Sequence, residues 1–358
     1  MKTLCWTIAT ILLSPFLLLG SFLRRRKDVQ KILIIQLGAL GDLLCTTPLF
    51  RAIKETHPHT EIHVLCIKKS SIVLQGNPNV DQIHFYDATT RWGLIRQMRK
   101  EKFDWSINCL PGAFVSVVGL WSLIPNRINT PSQKHGILVR VLGIFSQYGL
   151  PYSLGTHTFD HYMDLAGFMG VRRVRYGIDF YPGEIKSNLP LKDGFVILSL
   201  TAGNSVKEWP LSKFVQLANY ITTELGRDVI LSTLDTKATQ DVRSHVQRPD
   251  RVYDGSTLSL AELGDACRKA GAFVSVDTGP MYIAFAMGCP VVVVLGPIHP
   301  KEQIPPESDR VVHIPPPSGC TPWVHISLTP RKGSEEQLRC ARDTSVEDVI
   351  EGLARVIR

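Results

Sequence analysis

Several common signatures are missing from this chain of 358 residues. Its eight cysteines stand apart at 5, 45, 66, 109, 267, 289, 320 and 340 with no Cys-x-x-Cys pair, which excludes a zinc ribbon and a small disulfide scaffold. Scattered thiols of this kind suit a reducing compartment. The G-x-G-x-x-G dinucleotide fingerprint is absent, so a nicotinamide cofactor is disfavoured. There is no Asp-x-Asp pair, the arrangement with which a carboxylate couple would bring a divalent metal to a diphosphate, and no metal requirement is expected. Nor does charge of one sign dominate a face. The formal net charge is +8, and Arg24-Arg25-Arg26-Lys27 alone supplies four of those charges, so a nucleic-acid-binding surface is not indicated.

Charge is also absent from residues 4–23, an apolar run about as long as a bilayer-spanning helix. A cleaved signal peptide would have a shorter apolar core and a small-x-small site, whereas this run ends on the basic cluster. The expectation is an N-terminal membrane anchor over 1–28. The positive-inside rule then puts the remainder on the cytoplasmic face of the inner membrane. Pro15 interrupts the run, which leaves an in-plane interfacial helix as the other reading.

With 44% hydrophobic residues, the rest of the chain is large enough for two cores of about 150 residues each. Short apolar runs at 31–35, 62–67, 83–86 and 105–109 read as buried parallel strands, with helical spacing through Leu43, Leu44, Leu49 and Ile53 and again over 94–100. The rhythm lapses at 181–194 and resumes with strands at 195–200, 229–232, 273–276 and 290–295, and helices at 211–224, 238–246, 260–269 and 280–287. The fold class is therefore α/β, with domains expected at 29–188 and 189–358. Ligands in such sheets bind beyond the carboxyl ends of the strands, and a cleft between the domains is the expected site. Residues 129–165 mix Pro and Gly with apolar positions and read as a helical flap. Arg127, Lys134 and Arg140, in and just before this stretch, are cations available for an anionic acceptor, with a solvated basic face as the commoner role for each. Residues 346–357 read as an amphipathic helix packing back across the domain boundary.

Three motifs sit where strands meet helices. In Gln36-Leu37-Gly38-Ala39-Leu40-Gly41-Asp42 the glycines permit a tight turn and close approach of an acceptor, and Asp42 is either a general base or a helix cap. In the run from Thr201 to Pro210, small residues such as Thr201 and Gly203 form an anion cradle to which Lys207 adds a point charge. In Val276-Asp277-Thr278-Gly279-Pro280-Met281 a strand ends at a carboxylate, a hydroxyl and a glycine that opens a helix. Such a helix start offers unpaired N–H groups to a diphosphate, Gly279 admits the ligand to the backbone, and Asp277 accepts from sugar hydroxyls.

Together with Ser259-Leu260-Ala261-Glu262-Leu263 and Gly296-Pro297, these blocks resemble glycosyltransferase family 9, the lipopolysaccharide heptosyltransferases, over residues 30–358. The resemblance implies a GT-B fold: two Rossmann-like domains facing a central cleft, the first taking the acceptor and the second a nucleotide sugar, usually ADP-heptose. It makes Asp42 the general base, puts Lys207 on the donor phosphates, and has Asp277, Thr278 and Gly279 hold sugar and diphosphate. The backbone near Leu258 would meet the adenine, and Asp235 is the acidic residue offered to the ribose. Gly38, Gly41 and Arg127 remain on the acceptor side. One departure stands out: where the family commonly has a histidine three residues after the motif's glycine, this chain has Tyr282, which donates a hydrogen bond but carries no charge near neutral pH. The implied reaction is an inverting, metal-independent sugar transfer to a lipid-linked acidic glycan, with no cofactor beyond the nucleotide sugar. The competing readings are a membrane-tethered binding protein of the same fold and a nucleotide-sugar epimerase.

Overall fold

A computed structural model of the protein describes residues 2–25, 28–87, 89–131, 137–184, 191–324 and 333–357. The chain divides into two compact units, Met1–Asp179 and Phe180–Arg358. The boundary read from turn residues at 188/189 lies outside the described residues. Phe180 joins the second unit because its ring, with Pro182, lies against Gly264, where an added Cβ would meet it at 2.8 Å.

The first unit runs α1 (Lys2–Phe22), β1 (Lys31–Ile35), α2 (Leu40–Cys45), α3 (Thr47–Thr56), β2 (Glu61–Cys66), β3 (Gln82–Phe85), α4 (Arg91–Glu101), β4 (Trp105–Asn108), α5 (Val115–Trp121), β5 (Asn126–Asn129), α6 (Ile137–Gly143), β6 (Tyr148–Gly149) and α7 (Thr158–Gly167). Its six strands pair in parallel in the order β3-β2-β1-β4-β5-β6. Chain order reverses between β1 and β4, which opens a crevice at their carboxyl ends. Ile32, Leu33 and Ile34 of β1 are fully buried, as a strand covered on both faces requires.

The second unit repeats the plan with β7 (Val196–Ser199), α8 (Leu211–Thr223), β8 (Val229–Ser232), α9 (Thr236–His245), β9 (Val252–Asp254), α10 (Leu260–Lys269), β10 (Ala272–Val276), α11 (Gly279–Ala286), β11 (Val291–Val294), β12 (Val311–Ile314), α12 (Glu335–Arg342) and α13 (Val346–Val356). The parallel sheet is ordered β12-β11-β10-β7-β8-β9, with its reversal between β7 and β10. Helix α13 packs on β11 and β12 of its own sheet. Gly352 makes that approach possible: a Cβ there would sit 2.5 Å from Ile314 Cδ1.

The N-terminal segment is part of the first unit and not a separate domain. Helix α1 packs on α5 and α6. Hydroxyls tie it to the unit: Trp121 Nε1 donates to Thr10 Oγ1 (2.9 Å), Ser21 Oγ donates to the Ile124 carbonyl (2.9 Å), and Arg127 Nη1 donates to Ser21 Oγ (2.8 Å). Trp6 stacks on Trp92 at 4.9 Å. Among the described residues no helix is long and apolar enough to cross a membrane, which corrects the expectation of a spanning anchor.

Candidate active site

At the reversal point of the first sheet, the chain leaves β1 through Gln36, which is fully buried and acts as a hub. Its Nε2 donates to Thr46 Oγ1 (3.0 Å) and to the Tyr162 hydroxyl (3.1 Å), while its Oε1 accepts from the Gly38 N–H (3.1 Å). A buried amide with its donors and acceptor engaged fixes the turn that follows. Asp42 stands half-buried in the first turn of α2, and its Oδ2 accepts from the Ala39 N–H at 2.7 Å. One carboxylate oxygen thus serves the helix start. Gly38 is required by space and not by backbone angle, since a Cβ there would fall 2.5 Å from both Cβ and Oδ2 of Asp42. Gly41 lies half-buried in the same turn. Burial, with the nearby Cys109 and Asp42, holds the Tyr162 phenol well above its ordinary pKa, so it stays protonated beside this loop.

Arg127 does not fit the role expected of it. It is buried, its Nε donates to the Phe145 carbonyl (2.9 Å) and its Nη1 to Ser21 Oγ and the Ile124 carbonyl. Burial lowers its pKa to about 10. The guanidinium ties β5 to α1 and is withdrawn from any soluble ligand. Arg140 is exposed on α6, and Lys134 lies outside the described residues.

In the second unit, the loops after β7, β8 and β10 leave neighbouring strands at the same end of the sheet. Lys207 and Asp277, 70 residues apart, meet there: Lys207 Nζ donates to Asp277 Oδ2 at 2.5 Å, and both side chains are mostly shielded from solvent. Tyr282, one turn into α11, donates its hydroxyl to Asp277 Oδ1 at 2.7 Å. Asp277 therefore holds a cation on one oxygen and a phenol on the other. Tyr282 itself is buried, so its hydroxyl is supported by the packing around its ring. Thr278 precedes α11 in extended backbone, its hydroxyl caps no helix N–H, and Pro280 has no N–H to satisfy. Gly279 opens the helix.

Thr201 shares a hydrogen bond with Thr233 (2.7 Å), joining the loops after β7 and β8, and the Ala202 N–H donates to Glu208 Oε1 (3.2 Å). Gly203 is exposed, and a Cβ there would meet nothing within 4 Å, so packing does not demand glycine. Trp209 is buried edge-on to Phe214 and donates Nε1–H to the Thr344 carbonyl at 3.0 Å, which anchors the far side of the Lys207 loop. Asp235 caps α9, accepting from the Lys237 N–H (3.0 Å) and the Ala238 N–H (3.3 Å). Leu258 is half-buried just beyond β9, its N–H donating to the Gly255 carbonyl (3.2 Å).

The structure thus joins Lys207 to Asp277 directly, while Asp235 and Leu258 lie on separate loops at the edge of the same sheet. Sequence reasoning gave no role to Gln36, Thr233 or Glu208: Gln36 reaches the remote Tyr162, Thr233 comes from another loop, and Glu208 closes its own loop onto the Ala202 N–H. It treated Tyr282 only as a lost histidine, although its five-residue spacing from Asp277 at the head of a helix is the signal that the two can meet.

The pattern of glycosyltransferase family 9 (heptosyltransferase) matches residues 176–329. Over 284 residues, 72% of this chain and 79% of the relative, the protein is 25% identical to lipopolysaccharide heptosyltransferase 3 of Escherichia coli (strain K12). The fold is similar to that of E. coli ADP-heptose lps heptosyltransferase II, with a TM-score of 0.72 and 19% identity, covering 91% of this chain and 98% of that one. It is also similar to E. coli heptosyltransferase WaaC with ADP-2-deoxy-2-fluoro heptose, with a TM-score of 0.66 and 15% identity, covering 90% and 99%.

Proposed function

We propose that this chain is a heptosyltransferase-like glycosyltransferase, in keeping with its similarity to family 9, and that it moves a heptose from a donor of the ADP-heptose kind onto a lipid-linked acidic glycan, inverting the anomeric carbon. The observation that carries the reading is the Lys207–Asp277–Tyr282 cluster at the reversal point of the second sheet, beside the start of α11. A departing diphosphate needs positive charge that is already in position. Here Asp277 holds the Lys207 ammonium in place, and Tyr282 holds Asp277.

In the proposed reaction an acceptor hydroxyl attacks the anomeric carbon, Asp42 takes the hydroxyl proton, and the bond from that carbon to the diphosphate oxygen breaks. The electron pair leaves with the nucleoside diphosphate, whose charge is met by Lys207 and the N–H groups at the head of α11. Asp277 has spare lone pairs beyond those used by Lys207 and Tyr282, so it accepts sugar hydroxyls without releasing either. Thr201 and Gly203 belong to the phosphate-side loop, Thr278 and Gly279 to the sugar and diphosphate, and Gly38 and Gly41 to the acceptor. Asp235 serves the ribose with the oxygen not spent on α9, and the backbone near Leu258 serves the adenine. Arg127 has no part in it.

The test is ADP release and product mass with the full chain, a panel of ADP- and UDP-linked sugars, and lipid-linked core glycans as acceptors. Acceptor-dependent ADP release from the heptose donor, unchanged by chelator, is the expected result. Donor binding without transfer to any acceptor would overturn it, and loss of activity with chelator, restored by magnesium, would overturn metal independence.

A further inference from the structure

Helix α1 is built inside out for a helix on a protein surface. The fully buried side chains it turns toward the rest of its unit are Thr7, Thr10, Leu17 and Ser21, with Trp6 and Ala9 packed beside them. Those it turns outward are the large apolar ones. Leu12 is 70% exposed, Phe16 75% and Leu23 74%, with Ile8, Leu19 and Phe22 exposed beside them. At 3.6 residues per turn, the exposed apolar positions from 4 to 23 sweep roughly 220° of the circumference, and the four buried ones roughly 80°. Water does not favour that distribution, and soluble monomers rarely expose so continuous an apolar surface.

What covers the sector is indicated by its surroundings. Arg24 and Arg25 follow the helix directly, with Arg26 and Lys27 next in sequence. Arg24 Nη1 donates to the Arg99 carbonyl at 3.1 Å, which ties the start of this basic segment to the end of α4. Arg96 and Lys100 on α4 are exposed as well. Trp92, stacked on Trp6, is 56% exposed, and amphipathic rings of this type favour the headgroup level. A wide apolar sector bordered by cations complements an anionic lipid surface. A second copy of the chain is the poorer match, because a helix-to-helix seam covers only a narrow stripe and would leave much of the sector in water.

We propose that α1 is an in-plane docking helix, which lays its outward apolar sector into the boundary between headgroups and acyl chains of an anionic bilayer while Arg25, Arg96 and Lys100 engage lipid phosphates. The inference does not depend on the transfer chemistry, and its test uses no sugar substrate. The full chain is floated with vesicles of phosphatidylglycerol and phosphatidylethanolamine, and separately with phosphatidylcholine alone. Partitioning should be at least about 10-fold stronger on the anionic vesicles. Leu12→Ser, Phe16→Ser and Leu19→Ser combined should weaken it by about 100-fold or more with an unchanged circular dichroism spectrum, since none of the three is buried. Arg25→Gln, Arg96→Gln and Lys100→Gln combined should remove only the preference for anionic lipid. Alkaline carbonate should release the bound protein. Equal flotation of wild type and the serine variant would overturn the proposal, as would retention after carbonate extraction, the mark of a span. So would a wild-type dimer that fails to float and that the serine variant makes monomeric.

Discussion

Replacing Gly38 by alanine tests the placement of Asp42 without touching its chemistry. The new Cβ would stand 2.5 Å from Asp42 Cβ and Oδ2, closer than nonbonded carbon and oxygen tolerate, so the Asp42 side chain or the turn must shift. Any such shift breaks or bends the 2.7 Å bond from the Ala39 N–H. Loss of a cap of this kind costs about 1 kcal/mol, and overpacking adds about 1–3 kcal/mol. A drop of several degrees in Tm is therefore expected. Displacing a general base by about 1 Å costs on the order of 100-fold in rate. The assays are calorimetry, turnover with heptose donor and lipid-linked acceptor, and titration with ADP, whose affinity should stay within about 2-fold because its proposed partners lie in the other unit. Gly93→Ala is the control: a Cβ there meets nothing within 4 Å on an exposed face of α4, so stability should rise by about 0.5–1 kcal/mol with turnover unchanged. If Gly38→Ala turns over like wild type, the rate does not depend on where Asp42 sits, and its assignment as base falls.

Asp42→Asn should keep the helix cap, because the amide oxygen still accepts from Ala39, while turnover falls about 100-fold or more; a fall in Tm without a fall in turnover would identify a purely structural carboxylate. Lys207→Met should lower kcat/KM for the donor by about 10- to 100-fold and leave Asp277 without its cation, and Tyr282→Phe should have a smaller effect, about 10-fold, in initial-rate assays over a donor series. Equal rates for wild type and Lys207→Met would remove the phosphate role. Stability should also depend on pH through His84 and His161, both held at about 4 by burial against an ordinary value of 6.5. Between those values the unfolded chain binds protons that the folded one does not, so stability is full above about 6.5 and is lost as pH falls toward 4, by up to about 1.4 kcal/mol per pH unit for each histidine. Urea midpoints across this range in wild type and in His84→Gln would measure it, and a flat wild-type profile would contradict the assignment.

The strands that support the site were readable because they are short, apolar and β-branched; Lys31–Ile35, Val229–Ser232 and Ala272–Val276 lie where their runs of Ile, Leu and Val indicate. Strand β5 was not, since Asn126–Asn129 carries a single apolar residue. It is buried through polar bonds, with Asn126 Nδ2 donating to the Asp104 carbonyl and Arg127 turned inward. Helix α5 is apolar on every side and so shows no amphipathic period. At the site, Asp277-Thr278-Gly279 was legible as strand, turn and helix start. Its pairing with Lys207 was not, because no local pattern marks a contact between two crossover loops. The N-terminal run was plain as an apolar helix, but its orientation depends on three hydroxyls that composition hides among leucines.

The bond from Trp209 to the Thr344 carbonyl bears on how the protein matures. Lys213 Nζ reaches the same carbonyl, so the stretch that carries Lys207 is moored 135 positions downstream of Trp209 in the chain. During synthesis Thr344 is added only after every strand of the second sheet, the last of which ends at Ile314. A nascent polypeptide of this sequence would thus acquire its inner strands before the loop that carries Lys207 could be moored.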